Sequence, residues 1–340
     1  SLLISGSPSS VPSNRSPSRT RPDLGFLVLS RPSSQRRHLL LRRRRAVQAT
    51  MFELKMVKGS TLQGVLEAIL DLVNVANVDC SSEGFSLQAL DTEHVVFLSL
   101  FFPSEVFRSY RCDEDCSMGI AIADMVDLLR ASNDGDIITI KVTDQNFEDI
   151  TLTFESPDEA KTTDMDLQLV YVDAPSHRLK ISEWHDMESE YQAIFCMPSA
   201  QFMLNCKSLS VIGDDAVVVI RVNEEVISFS TKGKRRCVNI SHVLNKTDKH
   251  VTLTHARGPV SLALNLRYMK SCAKVSTLFD QVKIGLSTTL PLMVECKIAE
   301  KGYIRYFVAT KNLTEEEEGK TETEEAEGEE GRQRKKAKKK

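Results

Sequence analysis

Two stretches of this chain carry the same succession of hydrophobic patterns, and that repetition limits the folds open to it more than any single motif. In the first stretch Phe52, Leu54 and Met56 alternate as a strand, because side chains two apart on extended backbone share a face. Ser60 to Gln63 reads as a capping box, with the Ser side chain accepting from the helix end and the Gln reaching back. Leu62, Val65, Leu66, Ile69, Val73 and Ala76 then recur at helical spacing, a core-facing stripe. The opposite face, Gln63, Glu67, Leu70, Asp71 and Asn74, has no positive charge. Val78 to Ser81 and Phe85 to Ala89 flank a turn at Ser82 to Gly84 and form a hairpin. A polar break from Asp91 to His94 precedes a long β-rich run, Val95 to Phe102. A short helix at Ile122 to Ala131 leads through Asn133, Asp134 and Gly135 to strands at Ile137 to Val142 and Ile150 to Phe154.

The second stretch repeats this order from Tyr191. A strand ends at Met197, Pro198 takes a first-turn position, and a helix carries Phe202, Cys206 and Leu209. A hairpin from Ala216 to Ser230 turns through Asn223, Glu224 and Glu225, and a short helix at Leu266 to Ala273 precedes strands at Val282 to Leu286, Leu292 to Ile298 and Tyr303 to Val308. Met125 lies thirteen residues before Ile138, and Met269 thirteen before Val282. The repeat is one of pattern rather than of letters. Strands dominate without β-α-β alternation, which predicts an α+β fold of two similar domains built on antiparallel sheets.

Between the halves runs a strap, Leu167 to Tyr191. Apolar residues at Leu167, Leu169 and Val172 precede a breaker at Ala174 to Ser176, and Leu179 and Ile181 then stand among polar neighbours. Two apolar side chains two apart on extended chain point the same way. Such a strap either lies down on its own domains or offers a shallow apolar edge to a partner.

Charge is distributed unevenly over the 340 residues. Residues 1–50 carry ten Arg and one acid, residues 315–330 carry ten Glu, and the last nine residues are almost wholly Lys and Arg. Met51 to Thr314 holds 26 basic and 36 acidic residues, a net charge of −10, so binding to nucleic acid requires a local basic surface. Residues 1–50, rich in Ser, Pro and Arg, read as a disordered extension: either a transit peptide or upstream sequence, with Met51 directly before the first strand favouring the latter. The tail is disordered by composition, and its basic end reads as a nuclear import signal or as a segment folding back on its acidic neighbour. No apolar run reaches the length of a membrane span. The eight Cys include no C-x-x-C pair and no His at zinc-ligand spacing, so they read as buried thiols rather than metal ligands or disulfides. G-x-S-x-G, P-loop, G-x-G-x-x-G and H-E-x-x-H motifs are all missing. Acids such as Asp91 and Asp113 sit in breaks where Asp usually caps its own backbone. No catalytic residues and no cofactor are therefore expected, although paired Asp brought together by folding would leave a metal-dependent nuclease open.

From Met51 the chain resembles the eukaryotic sliding-clamp family of proliferating cell nuclear antigen. The resemblance is carried by Met51 to Glu53, Gly84 to Val95, Tyr110 to Asp113, Leu209 to Asp214, Leu266 to Tyr268 and Val294 to Ala299, in one order and extending to about Asn312. It implies a DNA-clamp fold in a homotrimeric ring, sheets outside and short helices lining a channel around double-stranded DNA. It implies clamp domains at 51–166 and 191–313, an interdomain connector at 167–190 and a tail at 314–340. The implied partners are DNA polymerase, clamp loader and other replication and repair proteins that dock through short peptides in the nucleus. The matching peptide-groove positions are Leu90, His94, Val95, Leu179, Ile181, Pro291, Phe307 and Ala309. The matching DNA-facing cations are Arg130, Lys207, Arg267, Lys270 and Lys274. The chain departs from the family at Ser182, where a Pro is usual, in added residues around Trp184 to Met187, and at Gln63, Gly64, Leu70, Glu114 and Asp127, where the channel loses positive charge. These losses raise an alternative, a clamp-fold paralogue that binds partner peptides without tracking DNA.

Overall fold

The computed structural model describes residues 50–57, 59–133, 135–143, 148–172, 188–244 and 251–310. Leu179, Ile181, Ser182, Trp184 to Met187, the extension before Thr50 and the charged tail lie outside the described residues. The first half runs β1 (Thr50–Val57), α1 (Ser60–Ile69), β2 (Val75–Ser81), β3 (Gly84–Leu90), β4 (Val96–Pro103), β5 (Ser109–Cys112), β6 (Cys116–Ala121), α2 (Ile122–Arg130), β7 (Ile137–Thr143), β8 (Asp149–Glu155) and β9 (Thr162–Gln168). The second runs β10 (Ala193–Pro198), α3 (Ser199–Leu209), β11 (Val217–Val222), β12 (Val226–Lys232), β13 (Cys237–Val243), β14 (Thr252–Ala256), β15 (Val260–Asn265), α4 (Leu266–Ser276), β16 (Gln281–Leu286), β17 (Leu292–Ile298) and β18 (Gly302–Val308). Each half is a strand, a helix, five strands, a helix and three strands.

The sheets repeat as strictly as the order. β5-β1-β7-β8-β9 forms one sheet, and its equivalent in the second half is β14-β10-β16-β17-β18. Likewise β6-β2-β3-β4 answers to β15-β11-β12-β13. The two halves join where β18 pairs antiparallel with β4, from Val308↔Val96 to Tyr303↔Phe101, making a continuous nine-stranded sheet. The equivalents of these two strands, β9 and β13, form the outer edges of the five- and four-stranded sheets.

The core lies between the sheets and the helices. Leu62, Val65, Leu66 and Ile69 of α1, Met125 and Leu129 of α2, Phe202 and Cys206 of α3 and Met269 and Cys272 of α4 are all buried, each large side chain contributing about 1.5–3 kcal/mol. Met125 and Met269 thus hold equivalent core positions, as their shared spacing predicts. Cys80, Cys206, Cys272 and Cys296 are core thiols, and burial pushes Cys206 and Cys296 up to about 12. Cys237 departs from the expectation of burial: it is exposed because it opens the edge strand β13.

Local expectations differ from the structure at several points. The capping box does not form: Gly59 is the N-cap, Ser60 is the first helical residue, and no side chain caps the end. The Gln63 side chain instead reaches forward to Glu67 Oε1, 3.1 Å away. The helix stops at Ile69, so Val73 sits in the connection just after a turn and Ala76 in β2. Pro198 precedes α3 as its N-cap. Leu167 and Gln168, placed at the head of the strap, belong to β9, where Leu167 lies opposite Ile150. Beyond β9 the chain crosses β6 and β2: Val170 N–H donates to Gly119 O at 2.9 Å, and Asn77 Nδ2 donates to Val172 O at 3.3 Å. Gly119 permits that crossing, since a Cβ there would stand 1.9 Å from Val170 O.

Candidate functional site

Sheet register brings several of the candidate groove residues onto one face. Residues directly opposite one another in neighbouring strands share a face, and Leu90, Phe97, Phe307, Met293, Gly285 and Ile194 are opposite in turn across β3, β4, β18, β17, β16 and β10. Tyr191 packs onto this row: a Cβ on Gly285 would come within 3.0 Å of its ring. Tyr191, Ile194, Met293 and Phe307 form a small buried cluster, separate from the main core, with Phe97 and Leu290 against it. Burial pushes the Tyr191 phenol up, which keeps it protonated, and it donates to Pro291 O at 3.1 Å.

At the other end the row runs out to solvent at Leu90, which is 47% exposed. The loop beside it is shaped by buried Asp91, whose Oδ1 accepts from the backbone N–H of Val95 at 2.7 Å and of Val96 at 2.8 Å. His94 takes φ +58° at the turn, and Ala309 N–H donates to Val95 O at 2.8 Å, extending the β4·β18 ladder by one step. Leu90 and Phe307 therefore share this face, the Val95 and Ala309 backbones are joined beside them with Pro291 just before β17, and the Val95 side chain packs against the main core. Their partners in sequence reasoning, Leu179 and Ile181, fall outside the described residues. Phe97, Met293, Ile194 and Tyr191 were not anticipated. The signal for Phe97 is the run from Val95 to Phe102, apolar except at Ser99, since a strand buried on both faces loses its alternation.

One register step along the same face, the row turns ionic. Lys283, Glu295 and Arg305 are opposite in turn. Arg305 and Glu295 are buried and joined by an Arg305 Nε to Glu295 Oε2 hydrogen bond, with the guanidinium 4.0 Å from the centre of the Tyr303 ring. Glu188, where the described chain resumes within the strap, sits 2.6 Å from Lys283 Nζ and 3.9 Å from Arg305. The strap is thus tied down at both described ends, near Gly119 and near Lys283.

The five candidate cations lie on the helices. Arg130 ends α2, Lys207 is in the last turn of α3, and Arg267, Lys270 and Lys274 follow one another along α4. Four of the five are already matched with acids. Arg130 Nε reaches Glu67 Oε1 at 2.8 Å and its Nη1 reaches Asp127 at 3.0 Å. Lys270 holds Asp214 at 2.8 Å. Arg267 pairs with Glu93, which also accepts from Tyr268 OH at 2.8 Å, and Lys274 pairs with Asp71. The last two pairs bind α4 of the second half to the first half, around a cleft of about 300 Å³ lined by Asp71, Glu93, Asp214, Arg267, Lys270 and Lys274. Hydrogen bonds from Tyr268 and then Arg267 hold Glu93 below the usual carboxylate range, as those from Gln63 and Arg130 hold Glu67. Gly64, expected to face outward, is packed against Leu278. Lys207, beside exposed Leu204 on α3, has no ion-pair partner among the described residues. No cluster of three His, Cys, Asp or Glu suited to a metal occurs among the described residues.

Residues 51–178 match the N-terminal domain of proliferating cell nuclear antigen, and residues 186–311 match the C-terminal domain of the same family.

Proposed function

Because the chain belongs to the proliferating cell nuclear antigen family, whose clamps are non-enzymatic scaffolds that work on DNA with replication proteins, we propose that it closes into a homotrimeric sliding clamp. In this role it encircles duplex DNA in the nucleus, confers processivity on a DNA polymerase after placement by a clamp loader, and docks replication and repair proteins through short peptides in the Leu90 to Ala309 groove.

The observation that carries this reading is the repeated sheet. β18 of the second half completes a nine-stranded sheet with β4 of the first, while their equivalents β9 and β13 have no strand beyond them among the described residues. Pairing β9 of one copy with β13 of the next builds a second nine-stranded sheet of the same plan, with part-buried Met165 on one edge facing part-buried Val238 and Ile240 on the other. A head-to-tail contact of this kind either closes into a ring or runs on as a filament. Closure also removes two open edges that would otherwise template aggregation.

A second reading, a clamp-fold protein that captures partner peptides without tracking DNA, draws on the ion-paired cations of α2 and α4. Stimulation of a polymerase on a primed circular template, with loader present, separates the two. The clamp reading predicts long products that depend on the protein; a formed trimer that gives no stimulation would favour the second reading.

A further inference from the structure

We propose that the tip of the β12–β13 hairpin, Lys234, Arg235 and Arg236, is a self-recognition surface that takes the acidic start of α2, Asp124 and Asp127, of a second copy of this chain. The inference rests on the clamp reading, in that it uses the same β9·β13 junction, and it adds what makes one copy select another.

The internal junction supplies the template. Where β4 meets β18, the loop leading into β4 places Glu93 against the first turn of α4, where Arg267 and Tyr268 grip its carboxylate. In the repeat, the loop leading into β13 is Gly233 to Arg236, and the helix equivalent to α4 is α2. Met125 and Met269 hold the same place, so Ala123 stands where Arg267 does and Asp124 where Tyr268 does. A β9·β13 junction built like β18·β4 therefore brings the Lys234 to Arg236 tip of one copy to the first turn of α2 in its neighbour.

Both surfaces carry exposed charge with little or no pairing among the described residues. Lys234, Arg235 and Arg236 are exposed, with no side-chain partner among the described residues, on a tip closed by Gly233 N–H donating to Arg236 O at 2.8 Å. Asp124 is exposed and likewise unpartnered among the described residues. Asp127, one turn on, gives one oxygen to Arg130 and keeps its side chain 71% exposed. Three adjacent cations repel one another in an isolated chain whose folded body is net acidic, and an acid supplied by a neighbour relieves that repulsion.

The polarity is reversed between the junctions. Inside the chain the loop is acidic and the helix basic; at the free edges the loop is basic and the helix acidic. A basic tip set against Arg267, or the Glu93 loop set against Asp124, would place like charges together. The arrangement thus favours the head-to-tail register and disfavours the exchange of one junction for the other.

Charge reversal in the full chain tests this, with assembly followed by light scattering over a dilution series at low and high salt. Asp124→Lys with Asp127→Lys, or Lys234→Glu with Arg235→Glu and Arg236→Glu, should each weaken self-association at least about tenfold at low salt. All five changes in one chain should restore it, which a folding defect could not do. Single-side reversals without effect, or a five-fold variant no better than its parents, would overturn the proposal while leaving the ring intact. The same holds if tip reversal lowers affinity for duplex DNA and leaves assembly unchanged, since the tip would then be a phosphate contact. A parent chain that stays monomeric at every concentration would overturn both this proposal and the clamp reading.

Discussion

Matching an acid to each of Arg130, Arg267, Lys270 and Lys274 changes how DNA would be held. Exposed ion pairs of this kind are weak, because water and salt screen them, so a phosphate can displace the carboxylate. The freed carboxylate then gathers cations again, and the net ion release that drives DNA binding is reduced. Asp71→Asn with Glu93→Gln should therefore raise duplex affinity at low salt. It should also steepen the slope of log affinity against log salt by about 0.9 for each cation freed. An unchanged slope in a filter-binding titration would contradict this. The same carboxylates set a pH dependence. Glu67 and Glu93 are held below the usual value of 4.5 by their hydrogen bonds. Their support of the fold is full above about pH 4.5 and fades as pH falls through their lower folded values. Melting midpoints should drop more steeply below that pH for the parent chain than for Glu93→Gln, in which the Tyr268 and Arg267 contacts are already altered.

Among the elements, the strap depends on the strand it crosses. Gly119→Ala would set a Cβ 1.9 Å from Val170 O, so residues Leu169 to Val172 must lift from β6. Overpacking of this kind costs about 1–3 kcal/mol; thermal melts should register it, and peptide affinity in the proposed groove should fall with it. The strands themselves were legible in the sequence: alternation at Phe52 to Met56 and Ile150 to Phe154 marks strands buried on one face, and the paired Met125 and Met269 spacing marks the repeat. The outer-face row was not, because Phe97 and Met293 sit in runs that are apolar on both faces. Neither were the ion pairs, since Lys274 and Asp71 are 203 residues apart and Arg267 and Glu93 are 174 apart, beyond the reach of any local pattern. The capping box failed for a local reason: the helix starts one residue too early for Ser60 to cap it.

At the scale of the whole molecule, the duplicated plan joins three properties: a continuous nine-stranded wall, two open edges that would pair in the proposed ring, and three helices, α2, α3 and α4, that carry the candidate DNA-facing cations. A ring with weak contacts to phosphate can still remain on DNA, because its hold is topological rather than adhesive. Retention on DNA circles measures this most directly. After loading onto a nicked circle, the protein should stay bound through a high-salt wash and be released when the circle is cut. Loss from the intact circle at the salt that strips it from linear duplex would contradict the account.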